Sequence, residues 1–451
     1  MAARQPAPTA TLPARGDRLE VMNFLNEVSA RYPHAVSFVS GRPSDIGFDL
    51  SAWLQSLPEF SRHFAQRTGT DHERALSLIA QYGRTQGILD ELIAGQLRQD
   101  ERIVAEPSQV LVTAGCQEAM LLCVTELCQA KGDVILARNP SYIGITGVAD
   151  IHGIEIVAFN QGDHCNGSSD AEALRRTLLE LKAAGKRARV LYLVPDFDNP
   201  TGILLSRQAR EAIVQVCTDH HVVILEDNPY GMFGFTGDRV ASMAALDRHG
   251  CVIYLGTYSK TLCPAVRVGF AVLPRQLLGD AAAAAELQAR LVRRKSFYSL
   301  NTSQIGQAIV GGVLLAHGGS LRPLIAAPHA LYRRNRDHML ECLQRELGHL
   351  APQVHWNTPA GGFFLVATLP FAFGAEEAEL CARQFGVLVM PLTFFALDGG
   401  CRRQVRLAYS NVASEEIAQG IAQFAAFVRL RLHAQAASAT PALTMHRLNA
   451  R

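Results

Sequence analysis

From about residue 75 to residue 275, short apolar, β-branched runs alternate with longer stretches whose apolar positions recur at helical spacing. VLVTA (110–114), DVILA (133–137), IEIVAF (154–159), RVLYLV (189–194), VVILE (222–226), CVIYLG (251–256) and VRVGFAVL (266–273) predict strands. Segments 87–100, 115–130, 141–151, 169–184 and 206–219 predict helices. Several strands are apolar throughout, the pattern of a sheet covered on both faces. The expectation is an α/β fold with a mostly parallel sheet. Beyond residue 275 the pattern changes. Helical stretches at 275–294, 301–317 and 324–348 lead to shorter strands at VHWN (354–357), GFFLVATL (362–369), VLVM (387–390) and QVRLAYS (404–410), then an amphipathic helix at 413–433.

These patterns divide the chain into five parts: a flexible N-terminus (1–18), an N-terminal segment (19–70), a large domain (71–325), a smaller α+β domain (326–434) and a flexible tail (435–451). The segment around MNFLNEVSARYPHAVSF is expected to join the smaller domain. Composition is that of a globular protein, 48% hydrophobic and 19% charged, in a chain of 451 residues. A net charge of +2 without like-charge blocks argues against nucleic acid or an anionic membrane as a partner. The ten cysteines, Cys165 among them, are scattered without a C-x-x-C pair and read as reduced thiols. MAARQPAPTATLPARG has no apolar core of a secretory signal, and no apolar run approaches the roughly 18–20 residues of a membrane span. A soluble, cytoplasmic protein is expected, with no metal centre.

Candidate chemistry gathers at strand ends, where open α/β sheets place ligands. After VLVTA, AGCQEAM (114–120) is a glycine turn opening a helix; its free N–H groups, with Cys116 and Gln117, suit a phosphate, although such turns also serve structure alone. PDFDNPTG (195–202) reads as a turn with or without chemistry. In DNPYG (227–231), Asp227 closes an apolar strand, where an acid either pairs with a cation or caps a turn, and Tyr230 is within reach. GTYSKTLCPAVRVGF (256–270) places Thr257, Ser259 and Arg267 as a set for a phosphate dianion. Lys260 lies among them, either a desolvated nucleophile or a surface loop residue. Arg267 is expected within a strand, paired with an anion or snorkelling outward.

A phosphate cradle, a lysine for an aldehyde, an acid for a ring nitrogen and an Asn/Tyr pair for a ring hydroxyl together describe pyridoxal 5′-phosphate. The ordered set YGRTQG, AGCQEAM, NPSY, NPTG, DNPY, GTYSK, R-x-G, PAGGFF and VRLAYS resembles the class I/II pyridoxal-phosphate aminotransferases of fold type I, over roughly residues 22–432. The resemblance implies a large domain with a mostly parallel seven-stranded sheet and a smaller α+β domain. It makes Lys260 the Schiff-base lysine, Asp227 the partner of the pyridinium nitrogen, and Asn199 and Tyr230 the ligands of the ring hydroxyl. Tyr142 would stack on the ring. Gly115, Cys116, Gln117, Thr257, Ser259 and Arg267 would hold the phosphate. Tyr82 would reach the phosphate of a second subunit, which implies a homodimer with shared sites. Arg406 would grip the substrate α-carboxylate, and Gly41 belongs to a segment that closes over the substrate.

The implied activity is transfer of an α-amino group between an amino acid and a 2-oxo acid. Four features depart from the pattern: Cys116 replaces a hydroxyl residue, Asp198 stands where Gln is frequent, Arg42 follows Gly41, and the LTFFALDGG loop (392–400) is apolar and aromatic. The loop points to a large aromatic or apolar side chain, and Arg42 to a polar or carboxylate group or a surface salt bridge. MNFLNEV and SGRP are similar to segments of the branch containing 3,5-dihydroxyphenylglycine transaminases. The rival within the fold is an O₂-dependent oxidase or hydroxylase, or an eliminating or replacing enzyme. A regulator with an aminotransferase-like domain is a further alternative, disfavoured because fewer than about 25 residues precede the match, too few for a helix-turn-helix.

Overall fold

The computed structural model describes residues 30–159, 170–237 and 239–439, so the expectations for 1–18, for MNFLNEVS, for Cys165 and for the last residues of the tail fall outside it. Among the described residues, thirteen strands follow in chain order. They are β1 (Val36–Ser37), β2 (Val110–Thr113), β3 (Asp133–Ala137), β4 (Glu155–Ala158), β5 (Arg187–Leu193), β6 (Val223–Asp227) and β7 (Val252–Thr257). Then come β8 (Gly269–Val272), β9 (His355–Trp356), β10 (Phe364–Thr368), β11 (Val387–Leu388), β12 (Met390–Pro391) and β13 (Gln404–Ala408).

A seven-stranded sheet has the order β2-β8-β7-β6-β5-β3-β4. It is parallel except for β8, which runs antiparallel to β2 and β7. The apolar runs are explained by what covers them. Val134, Leu136 and Ile224 meet Leu174, Leu178, Ile213 and Cys217 of the helices Asp170–Ala183 and Arg207–Asp219 on one face. Ile135, Val190 and Leu225 point to the other face, into a core shared with Leu122 and Ile145 of the helices Cys116–Leu127 and Ile143–His152. Alternate residues therefore bury on opposite faces, each large side chain contributing about 1.5–3 kcal/mol.

A four-stranded antiparallel sheet has the order β12-β13-β10-β9, and β1 pairs with β11 in a separate parallel ribbon. VLVM, expected as one strand, is thus two: β11 joins β1, while Met390 pairs with Arg406 of β13. The chain changes sheets at Val389, which no local pattern announces.

Other boundaries moved for identifiable reasons. The strand expected at 266–273 is only Gly269–Val272, because Pro264–Val266 forms a 3₁₀ turn and Arg267 adopts φ 49°. The helix expected at 275–294 is Ala281–Tyr298, started by Asp280, whose carboxylate accepts from the N–H groups of Ala282 and Ala283. The last helix extends to Ala439 rather than 433, consistent with its alanine-rich end. Helices Leu50–Gln55, Leu57–Thr68 and His72–Ile79 were not anticipated, although Asp49 and Asp71 cap the first and third. Among the described residues no helix is long and apolar enough to cross a membrane.

Candidate active site

Strands β2, β5, β6 and β7 run in one direction, so the loops after them open at one edge of the sheet. A cleft of about 780 Å³ lies there, bounded on its other side by the 39–42 segment, Phe395 and Arg406. It brings together Cys116, Gln117, Tyr142, Asn199, Asp227 and Tyr230. Thr257, Ser259, Lys260 and Arg267 line it from the segment after β7, with Gly41, Arg42 and Arg406 opposite. Tyr82 is not among its walls; its side chain is 81% exposed.

Gly115 ends the turn after β2 at φ 89° and starts the helix Cys116–Leu127. An added Cβ there would come 2.3 Å from an Arg267 guanidinium nitrogen, so both the turn and the approach of Arg267 require glycine. Arg267 donates to the Ala114 carbonyl at 3.2 Å and to Ser259 Oγ at 3.2 Å. Ser259 in turn receives the Thr257 hydroxyl at 3.1 Å. Arg267 is exposed, not buried within a strand, because the left-handed residue swings its side chain out of the sheet. A helix start, two hydroxyls and an exposed guanidinium thus face one corner of the cleft, an anion site in chemistry. The exposed Gln117 side chain donates to the Gly144 carbonyl at 3.2 Å, which ties the helix to the segment after Tyr142.

Lys260 is half-buried and donates from Nζ to the Gly41 carbonyl at 2.9 Å. Burial, then the positive charge of Arg406, lowers its pKa to about 8, against the opposing pull of Asp227. Lys260 is therefore a cleft amine that gives up its proton more readily than an exposed lysine, though it is still mostly protonated at neutral pH. Gly41 has its own reason: a Cβ would come 2.5 Å from the Phe364 ring.

Asp227 ends β6 and is buried. Tyr192 Oη donates to Oδ2 at 2.6 Å and Cys116 Sγ donates to Oδ1 at 3.1 Å. Burial pushes the carboxyl pKa up, while these two donors and Lys260 pull it back. Tyr192 was missed by sequence reasoning. The only signal was a polar-tipped ring inside an otherwise apolar strand. Tyr230 is held edge-on by Phe363 and Phe364, with ring centroids 5.1 and 5.7 Å away.

Arg406, on β13, is buried and has no carboxylate partner among the described residues. It donates to Asn199 Oδ1 at 2.6 Å and to the Val39 carbonyl, and lies 4.3 and 5.0 Å from the Phe364 and Phe395 ring centroids. Its Nε is buried without an acceptor among the described residues. Desolvation lowers its pKa to about 10. A buried, under-satisfied guanidinium at a cleft wall is prepared for an anionic ligand. Arg42 is exposed at the same wall; its carbonyl receives the Ser410 hydroxyl at 2.7 Å.

Asp198 does not line the cleft. Its carboxylate accepts the Thr201 hydroxyl at 2.6 Å within its own turn, and burial raises its pKa to about 6. The same loop is anchored by a fully buried pair, Arg210 Nη2 to Asp196 Oδ1 at 2.6 Å, and Asn228 donates to Asp196 Oδ2 at 3.0 Å. This pair, also missed in the sequence, fixes the segment after β5 against the segment after β6.

Comparison with known proteins agrees with this geometry. Residues 47–424 match the model of the family described as aminotransferase class I and II. The chain is 37% identical over 411 residues to the (S)-3,5-dihydroxyphenylglycine transaminase of Amycolatopsis orientalis, covering 91% of this chain and 92% of the relative. It is 28% identical over 359 residues to aromatic-amino-acid aminotransferase 1 of Thermococcus litoralis, covering 79% and 82% of the two chains. Among solved structures, the Pyrococcus horikoshii kynurenine aminotransferase superposes with a TM-score of 0.76 at 26% identity, over 93% of this chain and 96% of that one. With the parallel sheet, the strand-end cleft and the family match in agreement, the chain belongs to the class I and II aminotransferases, enzymes of fold type I that depend on pyridoxal phosphate.

Proposed function

We propose that this aminotransferase moves the α-amino group of an amino acid with a large aromatic or apolar side chain to a 2-oxo acid, with Lys260 as the Schiff-base lysine. The observation that carries the reading is Arg406. Its buried guanidinium has an Nε without an acceptor and faces the same cleft as an amine whose pKa is lowered to about 8. An α-amino acid presents a carboxylate to the first and a Cα–H to the second.

The residues fit the cofactor. Bound pyridoxal phosphate supplies an aldehyde for amines and a ring that accepts the electron pair left by a departing proton. Gly115, Cys116 and Gln117 offer their N–H groups at the helix start, with Thr257, Ser259 and Arg267, to the phosphate. Asp227 would hold a proton on the ring nitrogen, Asn199 and Tyr230 would bond the ring hydroxyl, and Tyr142 would pack against the ring. Arg406 binds the substrate α-carboxylate and so orients the Cα–H bond. Lys260 Nζ takes the Cα proton, a general-base role its lowered pKa suits. Gly41 and the 39–42 segment cover the substrate, excluding water.

Side-chain preference rests on Phe395 and Met390, which line the cleft beside Arg406. The relatives' names, dihydroxyphenylglycine transaminase and aromatic-amino-acid aminotransferase, point the same way. Exposed Arg42 offers its guanidinium to a distal polar or carboxylate group of either substrate. The enzyme acts in the cytoplasm as a homodimer, in which Tyr82 of each subunit reaches the phosphate of the other. Tyr82, Phe297, Leu300 and Ile305 are exposed apolar or aromatic side chains of the kind a second copy would cover, and Gln304, beside Ile305, donates to the carbonyls of Leu78 and Gln81, next to Tyr82.

The test is a panel of amino acids incubated with and without 2-oxoglutarate. Aromatic donors are expected to give new oxo acid only when the acceptor is present. Ammonia or peroxide released without it would overturn the reading in favour of elimination or oxidation. Lys260→Ala is expected to lose both turnover and the near-visible absorbance of the bound cofactor.

A further inference from the structure

Cys116 stands at a position from which the family resemblance sends a hydroxyl residue to the phosphate. Its thiol goes elsewhere. Sγ lies 3.1 Å from Asp227 Oδ1, while Tyr192 Oη lies 2.6 Å from Oδ2. The two donors approach the carboxylate from different elements, the first turn of the helix Cys116–Leu127 and the strand β5. Each takes one oxygen. Rotation of the carboxylate about its last bond would break both contacts, so its plane is set by the sheet and the helix rather than by the cofactor.

We propose that Cys116 and Tyr192 are positioning residues that clamp Asp227 from behind and aim its remaining lone pairs at the ring nitrogen. In this arrangement the Cys116 side chain works on the acid, and only its backbone serves the phosphate. The inference rests on the assignment of Asp227 to the ring nitrogen.

Four further points support the clamp. Burial and the Asp227 charge push the pKa of both Cys116 and Tyr192 well above its ordinary value, so both remain protonated donors. The two donors, together with Lys260, pull the buried carboxyl back toward its ionised form. A carboxylate accepts at two sites per oxygen, so a donor on each still leaves capacity facing the cleft that Asp227 lines. Tyr192 is buried and Cys116 half-buried, so neither contact faces solvent competition like that at a surface.

The experiment measures cofactor dissociation constants, by titrating the apoprotein and following absorbance or fluorescence. Wild type, Cys116→Ala, Cys116→Ser and Tyr192→Phe are each titrated with three ligands. These are pyridoxal phosphate, its carbon-for-nitrogen analogue lacking the ring nitrogen, and phosphate-free pyridoxal. Cys116→Ala and Tyr192→Phe are expected to weaken pyridoxal phosphate about fivefold to tenfold, with Cys116→Ser recovering part of the loss. The same loss is expected with pyridoxal, and less than a twofold change with the nitrogen-free analogue.

Equal losses with the analogue would overturn the clamp, because a general structural defect does not distinguish the two rings. A Cys116→Ala loss that disappears with pyridoxal would overturn it too, by returning the thiol to the phosphate. If Cys116→Ala fails to fold, Cys116→Ser and Tyr192→Phe carry the same comparison. If wild type itself binds the analogue as tightly as pyridoxal phosphate, the assignment of Asp227 to the ring nitrogen fails first. If wild type discriminates and the variants leave that discrimination unchanged, the clamp alone fails.

Discussion

Lys260 is a surface-type residue made reactive by where the chain puts it. Its amine reaches a pKa of about 8 because burial and the neighbouring Arg406 disfavour the charged form more than Asp227 favours it. The amine is protonated below that pH and neutral above it. In the apoprotein, acylation of Lys260 by a small acid anhydride should therefore rise with pH with a midpoint near 8, while exposed lysines respond near their ordinary pKa of about 10.4. Peptide mapping of labelled protein across pH checks this; a Lys260 midpoint near the exposed value would refute it. At the same scale, Arg267 changed its meaning. The sequence pattern placed it inside a strand, paired with an anion or snorkelling outward, whereas its φ of 49° takes it out of the strand as an exposed side chain bonded to Ser259 and the Ala114 carbonyl. Its residue type was legible as an anion ligand. Its backbone turn was not, because one left-handed residue redirects a side chain without any local pattern.

At the scale of elements, the site depends on how well the segments after β5 and β6 are held. The Arg210–Asp196 pair is buried, with Arg210 also donating to the Leu205, Pro195 and Ala241 carbonyls. Removing the cation strands the acid in the interior, an uncompensated charge costing about 3–5 kcal/mol. Arg210→Ala should accordingly lower the thermal unfolding temperature of the apoprotein by several degrees and loosen the loop bearing Asn199. Calorimetry of apo wild type and variant provides the check, and an unchanged transition would show that the pair is dispensable. The strands around this loop were readable because a buried parallel sheet writes itself as continuous apolar runs. The pair was not, because Asp196 and Arg210 look like ordinary loop and helix charges until β5 and the following helix are packed together.

For the whole molecule, the proposed homodimer can be tested at Phe297, which like Tyr82 is exposed. If Phe297 lies in the proposed interface, Phe297→Glu puts a charge there and should convert dimer to monomer in sedimentation measurements, with weaker retention of cofactor. A wild-type chain that sediments as a monomer and still holds cofactor would sink the shared-site reading. By itself, the sequence determined the α/β class, the cofactor and the residue types at each strand end, because covered parallel strands and helix-start glycines leave local signatures. The pairing of Asp227 with Tyr192 and Cys116, the split of 387–391 between two sheets and the unpaired burial of Arg406 were decided only by the tertiary structure. Each of these joins residues far apart in the chain, and the burial and hydrogen-bond partners that give them their chemistry exist only once the chain has packed.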